Sequence, residues 1–255
     1  MTAALLSLAE SIAREAGAGL LEAFAAGHRQ VAVKSSPTDL VSEADLATER
    51  LIRERIAAAR PADAIMGEEG EDTPGTSGLR WVVDPLDGTV NFLFGIPIWA
   101  VSVAVEDEAG AVAGVVFDPS RDELWAAARD GAATLDGVPV TPSARTDLGT
   151  ALVATGFGYD TGVRERQAAV VARLIPEVRD IRRLGSAALD LAWTASGRYD
   201  AFFERGVQRW DVAAGRLICE RAGLATCELA PMPPARKGLL ACTPALLEPL
   251  RALLD

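Results

Sequence analysis

The sequence predicts a layered α/β fold, an antiparallel-rich sheet followed by a half in which strands and helices alternate. Three patterns point to it. Apolar residues recur at helical spacing in two segments near the start. Between about residues 64 and 140 the pattern changes to short strand-like runs separated by turn residues, and from about residue 150 strand and helix patterns take turns. The 255 residues suit one unit over 1–255, with subregions of about 1–149 and 150–255.

In order along the chain, Leu5, Leu8, Ile12, Ala16, Leu20, Leu21 and Phe24 mark one face of a helix over 3–27, with Gly27 as its stop. A short strand at 31–33 and a polar turn at 35–37 follow. Ser42 suits the N-cap of a second helix reaching about residue 59, striped by Leu46, Leu51, Ile52 and Ile56 and closed by Pro61. Strands are expected at 64–66, 79–83, 99–105, 112–117, 124–128 and 138–140, with Asp136-Gly137 as a hairpin turn. The second half reads as strand 151–155, helix 163–174, strand 181–184, helix 187–195 and strand 199–203. A helix over 211–222 ended by Gly223, a strand at 239–242 and a last helix from Pro244 complete it.

Apolar residues at 49% and charged residues at 24% form an ordinary globular balance. No apolar run reaches the roughly 18–20 residues of a membrane span. The N-terminus lacks the basic start and long apolar run of a signal peptide, so the cytoplasm is the expected location. A net charge of −11 argues against nucleic acid or an anionic membrane as partner. It also disfavours an anionic substrate, unless cations invert the local field. Cys219, Cys227 and Cys242, spaced eight and fifteen apart, form neither a CxxC site nor a disulfide framework and read as reduced packing thiols. His28 is the only histidine, which argues against a Ser-His-Asp triad or a His-rich zinc site. Carboxylates, hydroxyls, lysine or a metal are left to do any chemistry.

The most informative segment is Trp81-Val82-Val83-Asp84-Pro85-Leu86-Asp87-Gly88-Thr89-Val90-Asn91-Phe92. A strand is expected to end at Asp84, with Pro85 turning the chain so that Asp87 comes back toward it. Two carboxylates this close raise each other's pKa unless something positive lies between them, and a hard divalent cation is the natural partner. Gly88 permits an unusual φ, while Thr89 offers a hydroxyl and, opening a short helix, amides that suit a phosphate. Taken alone, this segment is equally a polar turn, and Glu68-Glu69 in Gly67-Glu68-Glu69-Gly70 are surface acids. Asp211, after Trp210, is either an N-cap or an acid facing a metal from a buried helix start.

Together these pieces resemble the inositol monophosphatase family of metal-dependent, lithium-sensitive phosphatases. Lys34, Asp39-Leu40-Val41-Ser42 and Asp45 match its opening segment, Gly67-Glu68-Glu69 its GEE element, and residues 81–92 its long signature. Arg183-x-Gly185-Ser186-Ala187-Ala188-x-Asp190 and Asp200-Ala201-Phe202-Phe203-Glu204 precede Trp210-Asp211 in the family's order. The resemblance implies the αβαβα sandwich shared by inositol monophosphatases and fructose-1,6-bisphosphatases, a homodimer, and Mg²⁺-dependent hydrolysis of a small phosphorylated alcohol. It implies that Glu68, Asp84 and the Leu86 carbonyl hold one Mg²⁺. Asp84, Asp87 and Asp211 hold a second, and Glu68 borders a weaker third. Mn²⁺ would substitute, whereas Ca²⁺ and Li⁺ would inhibit.

The same resemblance makes Glu68, Thr89 and Asp87 the catalytic set, with Thr89 and Glu68 orienting and deprotonating a water. The amides of Gly88 and Thr89 take the phosphate. Gly185, Ser186, Ala187 and Glu204 contact the alcohol, and Lys34, Asp39, Asp45 and Glu69 form an outer shell. Val90-Asn91-Phe92 resembles the inositol branch, so myo-inositol monophosphate is the leading substrate. Histidinol phosphate, fructose 1,6-bisphosphate and NADP need the same metal core. Some bacterial relatives assist transcription complexes, which implies a role of another class, a binding partner with vestigial or secondary activity. Val207-Gln208-Arg209 stand where many members carry a histidine, on the leaving-group side.

Overall fold

The computed structural model describes residues 2–27, 31–33 and 40–255. Helix α1 (Thr2–Ala26) leads through the antiparallel pair β1 (Val31–Val33) and β2 (Leu40–Ser42) to α2 (Glu43–Ala59). Next come β3 (Ala64–Gly67), β4 (Arg80–Asp87) and the short helix α3 (Thr89–Leu93). A meander follows: β5 (Ala100–Asp107), β6 (Gly110–Asp118), β7 (Glu123–Ala128), β8 (Thr134–Leu135) and β9 (Val138–Pro139). The turn before β9 is the expected hairpin, with Asp136 at φ 49° and Gly137 at φ 77°. The second half runs β10 (Leu152–Thr155), α4 (Thr161–Leu174), β11 (Asp180–Arg182), α5 (Ala187–Ala195) and β12 (Ala201–Arg205). It ends with α6 (Arg209–Ala222), β13 (Ala225–Leu229), β14 (Gly238–Cys242) and α7 (Leu247–Leu254).

Among the described residues, β3 to β9 pair in chain order as a seven-stranded sheet, parallel only between β3 and β4. The other large sheet has the order β11-β10-β12-β14-β13, parallel on the β11 side and antiparallel on the β13 side. Its strands alternate with helices because the parallel pairs need crossovers.

Side chains at successive strand positions face opposite ways, and here both faces are covered. On β5, Val101, Val103 and Val105 join a cluster with Ile12, Leu20, Ile52 and Ile56 of α1 and α2, while Ala100 and Ala104 join one with Leu191 of α5 and Ile218 of α6. On β12, Phe202 faces that same central cluster, whereas Ala201 and Phe203 pack with Leu174 of α4 and Leu250 of α7. The layers are therefore helix pair, sheet, helix pair, sheet, helix pair. This is the expected αβαβα sandwich, and it explains strand runs that are apolar throughout rather than at every second residue.

The central layer is tight because small residues let α6 approach the first sheet. A Cβ at Gly114 of β6 would lie 2.9 Å from the Ala214 Cα and 3.0 Å from its carbonyl oxygen, both backbone atoms. Gly114→Val is expected to push α6 away and to cost about 2–3 kcal/mol, read as a lower urea midpoint. An unchanged midpoint would show that the layers yield more easily than this contact suggests.

Three local expectations are corrected. Strand β13 goes unnoticed in the sequence because Ala225-Thr226-Cys227-Glu228-Leu229 lies on a sheet edge and is only partly apolar. Strand β4 does not end at Asp84 but continues to Asp87. Asp211 does not open its helix; it is the third residue of α6, and Gln208 is the N-cap. Lys34 and Asp39 lie outside the described residues.

Candidate active site

The site grows out of a defect in the first sheet. Asp84 pairs with Ser102 and Asp87 with Ala100, so three steps on β4 meet two on β5. The extra residue is a β-bulge, and Pro85, which has no N–H to donate to the ladder, sits inside it. The bulge, rather than a turn, brings both carboxylates to the rim. Asp84 Oδ1 accepts the Leu86 N–H at 3.0 Å, which fixes the carboxyl against its own loop. Gly88 follows at φ 101°, and a Cβ there would meet the Ile98 carbonyl oxygen at 2.9 Å, so only glycine fits. That reversal starts α3.

The second half supplies the opposite wall. Asp87 Oδ2 accepts the Ser186 hydroxyl at 2.7 Å and the Ala188 N–H at 2.6 Å, which fastens β4 to the start of α5. Asp211 Oδ2 accepts the Gln208 N–H at 2.6 Å. These bonds occupy one oxygen each of Asp84, Asp87 and Asp211 and leave the other to a different partner. The Thr89 hydroxyl lies 3.0 Å from Asp45 Oδ1 and 3.0 Å from the Leu86 carbonyl oxygen. Asp45 of α2 is completely buried, and its carboxyl faces the Thr89 hydroxyl.

A cavity of about 470 Å³ runs along these residues, lined by Glu68, Asp84, Leu86, Asp87, Gly88, Thr89, Gly185, Ser186, Ala187, Glu204 and Asp211. Glu69 and Asp45 stand behind the wall. Burial, followed by the charges of Glu68, Asp87 and Asp211, holds the Asp84 carboxyl well above the ordinary range. Burial and the charge of Asp87 do the same to Asp211. Asp87 is pushed up to about 6 by burial, against the pull of its bonds to Ser186 and Ala188. Glu204 rises to about 8 through burial and the Asp87 charge. Among the described residues no three acids already converge as a finished metal cage. Mutually repelling carboxylates around one cavity are a reason for that spacing, and a cation is what would relieve it.

A model described as the inositol monophosphatase family matches residues 1–253. The chain belongs to that family. An inositol-1-monophosphatase SuhB of Mycobacterium tuberculosis is 47% identical, with 87% of this chain and 82% of that protein aligned. The Nus factor SuhB of Escherichia coli is 39% identical over 86% of this chain and 83% of its own. In three dimensions, the extragenic suppressor protein suhB of Bartonella henselae superposes with a TM-score of 0.92 at 35% identity, covering 99% of this chain and 98% of that one.

In this inositol monophosphatase family member, four further cavity residues bear on the charge and polarity of the site: Asp190, Arg183, Gln208 and Arg236. Asp190 is 1% exposed, lines the cavity, and its Oδ1 has no hydrogen-bond partner. Burial, then the charge of Glu204, keeps its carboxyl raised. Arg183 stacks over Phe157 at 5.8 Å and is the cation that offsets Asp87, Asp190 and Glu204. Gln208 and Arg236 stand at the mouth, the Arg236 guanidinium 3.5 Å from the Gln208 amide oxygen. The Arg183-x-Gly185 and Trp210 motifs pointed to the neighbourhood of the first three. Arg236 lies in no motif, and nothing local to it signalled the site.

Proposed function

We propose that this protein hydrolyses the phosphate monoester of a small polyol in a Mg²⁺-dependent reaction, with myo-inositol monophosphate as the leading substrate. The observation that carries the reading is the set of carboxylates around one cavity, each of the three aspartates held by a single oxygen. Hard oxygen donors of this kind suit Mg²⁺. Glu68, Asp84, the Leu86 carbonyl, Asp87 and Asp211 would hold it, in two sites or three. Bound there, the metal would lower the pKa of a water and balance charge on the attacking and leaving oxygens.

The chain's own groups do the rest. Thr89 has one O–H proton; donating it to Asp45 leaves the oxygen's lone pairs to accept from a water and orient it, and Glu68 stands by as the base. The amides of Gly88 and Thr89, at the start of α3, suit the phosphate oxygens. Glu204, Asp190 and the 185–187 backbone offer acceptors and donors to the hydroxyls of the departing alcohol. Cys219 and Cys242 are buried in the apolar clusters, away from the cavity, which supports water rather than thiolate as the nucleophile.

A substrate panel tests the reading. With Mg²⁺ present, inositol 1-phosphate is expected to exceed histidinol phosphate, fructose 1,6-bisphosphate and NADP in kcat/KM by about tenfold or more. A comparable preference for another member of the panel would overturn the choice of substrate. Full activity after EDTA treatment without added metal would overturn the chemistry. The name of the Escherichia coli relative supports a second reading, a partner in transcription complexes. An Asp84→Asn protein that no longer hydrolyses substrate but still binds an elongation complex would separate the two roles. The homodimer carried over from the family is checked by sedimentation.

A further inference from the structure

We infer that Glu49, a residue of α2 outside the carboxylate set, is a positioning residue for Glu68; the inference rests on the metal-site reading above. Glu49 is 3% exposed, and its carboxylate lies under the loop that leaves β3. Oε2 accepts the Glu69 N–H at 2.7 Å, and Oε1 accepts the Gly70 N–H at 2.8 Å. One helical turn later Arg53 donates its Nε–H to Oε1 at 2.7 Å and its Nη1–H to the Thr73 hydroxyl at 3.2 Å. The loop is closed from the other side by the Ile65–Thr73 bridge, with N–H to carbonyl distances of 2.9 and 2.8 Å.

The geometry leaves little freedom to the residue in between. Glu68 is flanked by Gly67, where a Cβ would lie 2.6 Å from Glu49 Oε1, and by Glu69, whose amide is tied to Oε2. The backbone therefore passes directly over a buried carboxylate, and that passage directs the Glu68 side chain toward the cavity where Asp84 lies. Two amide N–H groups and the Arg53 guanidinium converge on this one carboxyl group and fix its orientation. Glu49 touches neither the cavity nor any reacting group. It acts through Glu68.

Glu49→Gln breaks one side of this arrangement at nearly constant volume: the amide oxygen still accepts, but the NH₂ that replaces the other oxygen turns donors toward a donor. The half-saturating Mg²⁺ concentration, and the Mg²⁺ Kd from calorimetry without substrate, are expected to rise about tenfold or more. KM for substrate at saturating Mg²⁺ should change less than about twofold. Glu68→Gln should raise the Mg²⁺ Kd by itself, and adding Glu49→Gln to it should raise it no further than about twofold. Multiplying effects would mean that Glu49 acts independently of Glu68, which overturns the inference. So would an unchanged Kd in folded Glu49→Gln protein while Glu68→Gln shifts it. An unchanged Kd in Glu68→Gln removes the metal-site reading first, and this inference with it. Should Glu49→Gln fail to fold, Arg53→Gln keeps both amide bonds but frees the carboxylate. A rise of about threefold is then expected, and no rise overturns the inference.

Discussion

Asp84→Asn is expected to abolish hydrolysis and, at the same time, to raise the melting temperature of the metal-free protein. The two effects have one cause. Asp84 is buried and its carboxyl is raised by burial and by the charges of Glu68, Asp87 and Asp211, so folding works against the ionisation of this group. Asparagine keeps the acceptor for the Leu86 N–H, now at 3.0 Å from Oδ1, and presents an N–H₂ where a like charge stood. Relief of about 1–2 kcal/mol corresponds to about 3–6 °C for a chain of this size. What is lost is the negative charge that Asp84 would contribute to both cation sites. A fall in kcat/KM of about 10³-fold or more, ~4 kcal/mol of transition-state stabilisation, is expected. Wild type should gain about 2.7 kcal/mol from Mg²⁺ at a hundred times its Kd, and the variant should gain far less. Activity within tenfold of wild type would sink the assignment. A marked fall in the metal-free melting temperature would instead make Asp84 a structural acid.

Metal-free protein should also lose stability as pH rises from about 5 to 9, the reverse of a protein held by salt bridges. The sign follows from the two recessed acids whose positions are clearest. Burial pushes Asp87 up to about 6 and Glu204 up to about 8, both above the ordinary carboxylate range that the unfolded chain shows. The native state thus holds protons that the unfolded chain has released. Their contribution is complete below the unfolded pKa values and is lost as pH climbs through about 6 and then about 8. Acids held low, such as Asp107 by its bond to Arg129, titrate below this window. A decline of about 5 °C or more between pH 6 and pH 9 in EDTA is expected. Saturating Mg²⁺ should reverse the trend at the acidic end, because a cation stabilises the ionised Asp87 and must compete with its proton. Thermal scans across pH, with EDTA and with Mg²⁺, decide it. A metal-free melting temperature that is flat or rises over this range would contradict the proposed electrostatics.

Much of the architecture was legible because burial on both faces of a sheet writes continuous apolar runs, as in Val101 to Val105, and one-faced helices write periodic ones, as in Ile12, Ala16 and Leu20. Edge strand β13 was not, since four of its five residues are partly or fully exposed. In the site, the segment 81–92 announced closely spaced acids. It could not announce the bulge, which depends on how β5 pairs with it, nor that Asp87 is bonded to Ser186 and Ala188, about a hundred residues away. Glu49 looked like any polar residue on α2. Its i, i+4 spacing to Arg53 was visible, but its two amide partners lie twenty and twenty-one residues on, in a loop.

By itself, the sequence determined the layered class, an inventory with a single histidine, and which acids and hydroxyls are available to a phosphate ester. Those follow from residue identity and local spacing. Only the tertiary structure decided that Glu68, Asp84, Asp87, Asp211 and Glu204 share one cavity, that Asp45 stands behind Thr89, and that Asp190 is buried with an oxygen left over. Desolvation and mutual charge, the forces that set what these acids can do, are properties of neighbours in space. Residues 84 and 211 become neighbours only when a bulge in one sheet and the first turn of α6 are packed together.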